Sequence, residues 1–580
     1  MKTAIRWVLI ALTGLAFLAP LKFGAPVIVA ANVPPQSGWE WVFFSWPNQL
    51  LPIIAGGLLL WLALDWRRLP GRVDGLFLLP GLFLVTQLVA APTSICQQTT
   101  TETLLHFAAC VVVFYVAAAV VRDGAAAAWV FGGLTVGTLL VVIFAVYQHF
   151  GGLAATREYA AVYGASISAE LQSRLISNRV FGTFVYPNAL AGFLVVAFAP
   201  VLAWLWQCPL RRWLRWLALV LSSSLMVFCL ALTGSRGGFI AFAVMVVAGL
   251  VVAARRVWWL LAALAVIAAV FGAAHQAGLI RHGLASASAR GDYWRGAVAI
   301  AMDHPWLGTG PGTFGSLYPK YKTARTEEAQ LVHNSYLQMG SDSGVAGAVV
   351  FALLWLAALW DGFKLARQRM GDWTRVAVFA ALTGWVVHGF IDFDLYVPGV
   401  AIPAFLLLGL LQGLKPVPDR PVTHPPRLAL GTAAVALVGI MVWLAGRSLV
   451  GDFCNAQTQM LAATDPVLAA QSAAAASRWN PAQPRYWSIA GDLALRQGHA
   501  TEAVEFYRTA TGKDPYRAAY HWRLARALAR AGGRESEAVE QLQIATSLNP
   551  TQDRYRAALR ALEENIRQPA RGLLDSPALE

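Results

Sequence analysis

The 580-residue chain is 57% hydrophobic and 13% charged, with a mean hydropathy of +0.54, far from the balance of a water-soluble domain. A formal net charge of +14 would suit a nucleic-acid partner, but the basic residues fall in short clusters between apolar runs, without a basic face or base-reading motif, so nucleic acid is excluded and the clusters read as topology signals. Five cysteines without CxxC or Cys/His spacing give neither a metal site nor a disulfide framework, and only Cys96 and Cys454 fall in segments expected outside.

A membrane-spanning helix needs about 20 apolar residues. Such runs begin near residues 4, 50, 73, 104, 125, 189, 214, 237, 257, 343, 375, 399 and 428, about thirteen spans in all. The first has Lys2 and Arg6 ahead of its apolar stretch but no small-x-small cleavage site at the usual distance, and reads as an anchor rather than a signal peptide. Lys and Arg are retained on the cytoplasmic side. Arg67, Arg68 and Arg72 follow the second run, Arg122 the fourth, and Arg211, Arg212 and Arg215 the sixth. Arg255 and Arg256 follow the eighth, Lys364, Arg367 and Arg369 the tenth, and Lys415 the twelfth. Every even-numbered span therefore ends inside. The turn at Arg236, the long segments 150–188 and 275–341, and everything after the last span face outward.

After about residue 447, Ala, Arg, Glu and Gln replace Val, Leu and Phe. Pro481, Pro515 and Pro550 recur at intervals of 34 and 35 residues, and Trp487, Gly491, Ala503, Tyr507 and Ala510 stand between the first two. This is the large and small pattern of a tetratricopeptide hairpin, a fold that presents a concave binding surface. The predicted fold class is all-α: a polytopic transmembrane helix bundle with a C-terminal tetratricopeptide-like helical repeat domain. The expected divisions are 1–177 for the first helices and an outward loop, 178–446 for the core with its large loop 275–341, and 447–580 for the repeat domain.

Three residues on the outward face stand out. Arg236 lies in LALTGSRGGFIAF. An arginine at membrane depth costs roughly 2.5–3.5 kcal/mol, so it is usually paired or functional. Snorkelling to the interface is the competing reading, but such arginines normally sit inside, and Gly234, Gly237 and Gly238 leave room for an anion against backbone N–H groups. Arg290 begins a stripe with Trp294, Ala297 and Ile300 or Ala301, predicting a short amphipathic surface helix with Arg290 at its start. GTGPGTF after it is turn-rich and lacks the GK[ST] ending of a nucleotide loop. His333, in LVHNSYLQMG just before a span, is an outward group able to take a proton near neutral pH. The outward loops are read as lacking an acidic DxD or DxN cluster. Fixed cations with one potential base suit transfer from a diphosphate leaving group to a hydroxyl.

LTGSRGGFIAF, the stretch SARGDYWRGAVAIAMDHPWLGTGPGTF and HNSYLQMGSDSGVAG together resemble the O-antigen ligase and polymerase superfamily of bacterial envelopes. RVFGTFVYPN at 179–188 resembles the segment that precedes the core in many members, and the likeness covers roughly residues 178–410. The resemblance implies metal-independent, cofactor-free glycan transfer from an undecaprenyl-diphosphate-linked donor, on the periplasmic side of the bacterial inner membrane. It places His333 as the base and Arg236 and Arg290 on the diphosphate, with Arg179, Asn188, Arg295 and Asn334 expected around the substrate. The acceptor stays open among lipid A core, a growing glycan and a protein hydroxyl. Ligase or polymerase activity, protein O-oligosaccharyltransferase activity, and a non-catalytic envelope scaffold are the three readings, with a periplasmic protein partner expected at the repeat domain.

Overall fold

The computed structural model describes residues 2–28, 45–64, 74–154, 157–158, 179–253, 272, 283–323, 326–369, 371–416 and 427–567. The run expected from residue 257, the basic residues Arg67, Arg68, Arg72, Arg255 and Arg256, and most of segment 150–188 fall outside them. The described chain is helical throughout and holds no strand. In order, α1 is Lys2–Lys22, α2 Leu50–Leu64, α3 Gly75–Ala90, α4 Gln97–Val120, α5 Gly124–Tyr147, α6 Pro187–Gln207, α7 Arg212–Leu232 and α8 Arg236–Ala253. Then come α9 Gly283–Asp303, α10 Phe314–Leu317, α11 Ser335–Gln368, α12 Trp373–His388, α13 Pro398–Gly413 and α14 Arg427–Leu461. The tail adds α15 Pro466–Trp479, α16 Pro484–Arg496, α17 Ala500–Lys513, α18 Ala518–Ala531, α19 Glu535–Leu548 and α20 Asp553–Arg567. Among the described residues nine helices are long and apolar enough to cross a membrane, and two shorter apolar helices accompany them. This is a multi-pass membrane protein.

The centre of the bundle is α13. All of its residues from Pro398 to Gly413 are buried, so it meets protein on every side, packing chiefly on α4 and also on α1, α12 and α6. Helices in lipid gain little from hydrophobicity and associate through close packing of small residues. Gly133 and Gly137, one turn apart on α5, show this: a Cβ at either would come within 2.3 Å of the Thr13 carbonyl oxygen or 2.6 Å of that of Phe17 on α1.

The two ends of the bundle differ. At one end Lys415, just past α13, meets Asp74 at 3.0 Å and Asp361 at 2.5 Å, and Arg215 lies over Trp206, which packs on Trp373. The basic clusters at Arg211 to Arg215, Arg367 to Arg375 and Lys415 belong to this end. The connections 233–236, 304–312 and 389–397 lie at the other end, together with the start of α11. There the long helix α14 carries the chain into α15 to α20. The tail is seated on the bundle: Arg485 and Tyr486 reach Asp452 at 2.9 and 2.7 Å, Ser316 donates to Asp514 at 3.2 Å, and Asn549 donates to Glu328 at 2.6 Å.

Candidate active site

The loop between α12 and α13, Gly389 to Val397, organises the second end. Its Asp392 is only 3% exposed, yet two of the residues singled out in the sequence approach it. His333 Nδ1 lies 3.2 Å from Asp392 Oδ1, and an Arg290 Nη2 lies 4.0 Å from Oδ2. These two side chains keep 23% and 20% exposure, so a buried carboxylate holds two partly accessible cation-forming groups at the surface. Burial alone would raise the Asp392 carboxyl, but His333, then Arg290, outweigh it and hold the group well below the usual carboxylate range.

His333 is placed against backbone preference. At φ 55° it is the one non-glycine residue in the left-handed region among the described residues, a conformation that persists only where its surroundings over-determine it. Its neighbours do so. Asn334 Oδ1 accepts from the amides of Tyr336 and Leu337, both at 3.0 Å, capping α11. The Ser335 amide donates to the Gly389 carbonyl at 2.7 Å, and its hydroxyl to the Asp392 carbonyl at 3.1 Å. The Trp294 indole donates to the His333 carbonyl at 3.4 Å. The imidazole itself sits between the stacked ring of Tyr293, 5.6 Å away, and the edge-on ring of Phe393, 4.6 Å away.

Arg290 rides on α9, which corrects the expected short surface helix with Arg290 at its start. The helix begins at Gly283 and buries Tyr293, Ala297 and Ile300 against Phe314, Leu317, Tyr318 and Val332. The buried stripe keeps Ala297 and Ile300 of the expected one and adds Tyr293 beside the partly buried Trp294, with Phe314, Leu317, Tyr318 and Val332, and not lipid, covering it. GTGPGTF is likewise architecture. Gly308, Gly310 and Gly312 all have positive φ, and the Gly312 amide donates to Asp342 at 2.8 Å, so the turn is threaded into the bundle.

Arg236 is exposed at the first position of α8. The Gly237 beside it rests on Ile391, where a Cβ would come within 2.8 Å of the Ile391 side chain. Lacking that atom, the start of α8 lies against the residue just before Asp392. Arg179 ties the same corner together: its Nε donates to the Thr233 carbonyl at 2.6 Å and its Nη2 to Asn188 Oδ1 at 2.8 Å. Burial first, then the charge of Arg290, push the Arg179 guanidinium down to about 10, against the pull of Asp392. Arg179, Asn188, Arg236, Arg290, His333 and Asn334 therefore come together. Arg295 does not join them; it is held by Asp292 at 2.7 Å and by the Tyr321 carbonyl at 2.9 Å.

Residues 221–352 match the family model for O-antigen ligase. This segment is similar to the O-antigen ligase domain. It contains Arg236, Arg290 and His333, and the match supports a function of the O-antigen ligase or polymerase type. No curated protein matches the chain. The O-antigen ligase match stops short of Asp392, which the sequence reading also missed. The signal was there: H388-G-F-I-D392-F-D394 sets three titratable groups between apolar runs, where charge is expensive. It also corrects the expectation that outward loops lack a DxD pattern, since Asp392-Phe393-Asp394 is one. Its carboxylates diverge, Asp392 to His333 and Asp394 to His388 at 2.6 Å, because alternate residues of the turn meet different helices. Among the described residues no group of three or more His, Cys, Asp or Glu is arranged to hold a metal ion.

Proposed function

We propose that the chain transfers a glycan from an undecaprenyl-diphosphate-linked donor to a hydroxyl acceptor on the periplasmic face of the bacterial inner membrane. The observation that carries this is the approach of Arg290 and His333 to one buried carboxylate beside the Arg236 turn. The segregation of basic clusters at the opposite end supports the orientation.

With Nδ1 turned to Asp392, His333 keeps Nε2 for the acceptor. The acceptor hydroxyl gives its proton to Nε2 as its oxygen bonds to the anomeric carbon of the donor. The bond from that carbon to the diphosphate oxygen breaks, and the leaving diphosphate keeps the electron pair. Asp392 stabilises the imidazolium that forms, as the carboxylate does in a Ser-His-Asp triad. Arg236 and Arg290 present planar donor forks to the diphosphate as charge develops on it. The amino end of α8, with no acidic residue in its first turn, adds positive potential at the same corner.

The test is a transfer assay in native membranes together with a measure of lipid-linked glycan in cells. A His333→Ala strain should accumulate donor and form no product while the protein stays at its normal level. Product formation at the wild-type rate in that strain would refute a catalytic role and leave the scaffold reading.

A further inference from the structure

The tail separates its charges. Helix α18 carries Arg523, Arg526 and Arg530 with no acidic residue, whereas α19 carries Glu535, Glu537 and Glu540 with no basic one. The first helices of successive hairpins share one face: Arg523 of α18 reaches Asp492 of α16 at 3.1 Å, and Arg554 of α20 lies over Trp522 of α18.

On that face the Trp522 ring holds two guanidiniums, those of Arg526 and Arg554, at 4.6 and 4.8 Å from its centroid. Cation–π contact fixes them without neutralising either. The acidic neighbours are committed elsewhere, Asp492 to Arg523 and to the Tyr507 hydroxyl, Asp553 to Arg556. Among the described residues Arg526, Arg530 and Arg554 therefore make no direct salt bridge to a carboxylate, and Asp492 acts on Arg526 only through space. Burial, then Arg530, lower the Arg526 guanidinium from its ordinary value. Arg526 Nε and Trp522 Nε1 are buried donors without a hydrogen-bond acceptor, an arrangement that is unfavourable until an acceptor arrives.

We propose that Arg526 and Arg554, held on Trp522, together with Arg530 beside Arg526, form a binding site for an acidic oligosaccharide, gripping carboxylate or phosphate groups carried on its sugars. The saccharide class rests on the glycan-transfer reading and on the seating of the tail. Asn549, five residues before Arg554, donates to Glu328, five residues before His333, so a glycan chain leaving the candidate site has a short path to this face. Guanidinium forks match both oxyanions, and the indole N–H adds a donor for a sugar hydroxyl.

Binding is measured on the full-length protein in lipid nanodiscs by calorimetry, with oligogalacturonate and a phosphorylated oligomannose as acidic probes. Neutral dextran oligosaccharide and poly-glutamate serve as comparisons. At least one acidic saccharide should bind, more weakly at higher salt, and more tightly than dextran or poly-glutamate. Arg530→Gln, at an exposed position, should weaken it on the order of tenfold, as expected for one charge-assisted contact. Arg526→Gln with Arg530→Gln should weaken it further, and Arg496→Gln, outside the cluster, should leave it unchanged. Binding that ignores Arg530→Gln, no binding of either acidic saccharide, or tighter binding of poly-glutamate would overturn the proposal, the last in favour of an acidic peptide. His333→Ala separates the two readings: it should lose transfer and keep saccharide binding, so a failure of either shows by itself.

Discussion

Two histidine–aspartate pairs draw their aspartates from one short loop, and their surroundings differ. His388 and Asp394 meet at 2.6 Å with 1% and 2% exposure, His388 closing the regular helix α12 and Asp394 opening the turn into α13. His333 and Asp392 stand slightly farther apart at 3.2 Å, the imidazole partly open to solvent on a backbone in the left-handed region. The buried pair fixes how α12 joins α13, and through that junction where Asp392 stands. In the proposed function it is the open pair that exchanges a proton with the substrate. Identical chemistry thus divides into support and reaction according to access, a difference visible only once the chain is folded.

The sharpest way to break this comparison is to remove each imidazole in turn. Replacing His333 with Gln should reduce transfer about 10²–10⁴-fold, the range of a general base, with little change in melting temperature. Replacing His388 with Gln should instead lower the melting temperature and the membrane level, leaving each surviving molecule more active than the His333 variant. A His388 variant that melts normally but fails to turn over would reverse the assignment.

A somewhat smaller effect is expected at the guanidiniums. Lysine keeps the charge of Arg290 or Arg236 but loses the fork that can grip two oxygens, so Arg290→Lys and Arg236→Lys should each reduce turnover about 10–10³-fold, as loss of one preorganised donor does elsewhere. Turnover is measured on purified protein of matched melting temperature. An active Arg236→Lys would favour snorkelling for that residue, whereas an active Arg290→Lys would leave Asp392 with only His333 as its functional partner.

Arg236 could be singled out in the sequence because a charge inside an apolar stretch has few explanations, Arg290 by its place on a helical stripe and His333 by its place just before a span. The all-helical membrane character was legible too, since apolar runs of sufficient length carry it directly. Asp392 was legible only as one of three titratable groups between apolar runs; its partners were not, because they depend on α9, α11 and α12 meeting at one loop, contacts separated by dozens of residues. On α9 the stripe was legible at Ala297 and Ile300, whereas Tyr293 joins it only because Phe314, Leu317, Tyr318 and Val332 fold back over it. Arg295 looked equivalent to Arg290 by type and helix, yet five residues along a helix turn it towards Asp292.

The supporting pair can also be disturbed without touching either member. Gly192 of α6 faces it so closely that a Cβ would come within 2.6 Å of Asp394 Oδ1 and 2.8 Å of His388 Nδ1. Gly192→Ala should therefore destabilise the bundle by about 1–3 kcal/mol, the usual cost of overpacking. Thermal melts in nanodiscs should show it, with activity per folded molecule falling less than in the His333 variant. An unchanged melt would mean that the pair is free to shift and does not fix the loop.

The smallest expected effect sharpens the comparison by adding a third aspartate, on the far side of α9 from the candidate site. Burial would raise Asp292, but hydrogen bonds from Arg295, Tyr318 and the Thr323 amide outweigh it and hold the carboxyl at about 2. Because the folded value lies below the ordinary 3.8, the ionised form favours folding. Its contribution is complete above the ordinary value and is lost as pH falls from there through about 2. Arg295 is well exposed, so the contribution is modest and salt-sensitive. Amide protection factors in residues 314–323 should fall over that window in the wild type and hardly change with pH in Asp292→Asn. Asp392 is held low by His333 and Arg290 rather than by this network, so the loosening should begin at the arm behind α9 while the His333–Asp392 contact persists. Simultaneous loss of protection at His333 and at Thr323 would instead make the two sides of α9 a single cooperative unit, and the distinction between support and reaction would then stop at the buried His388–Asp394 pair.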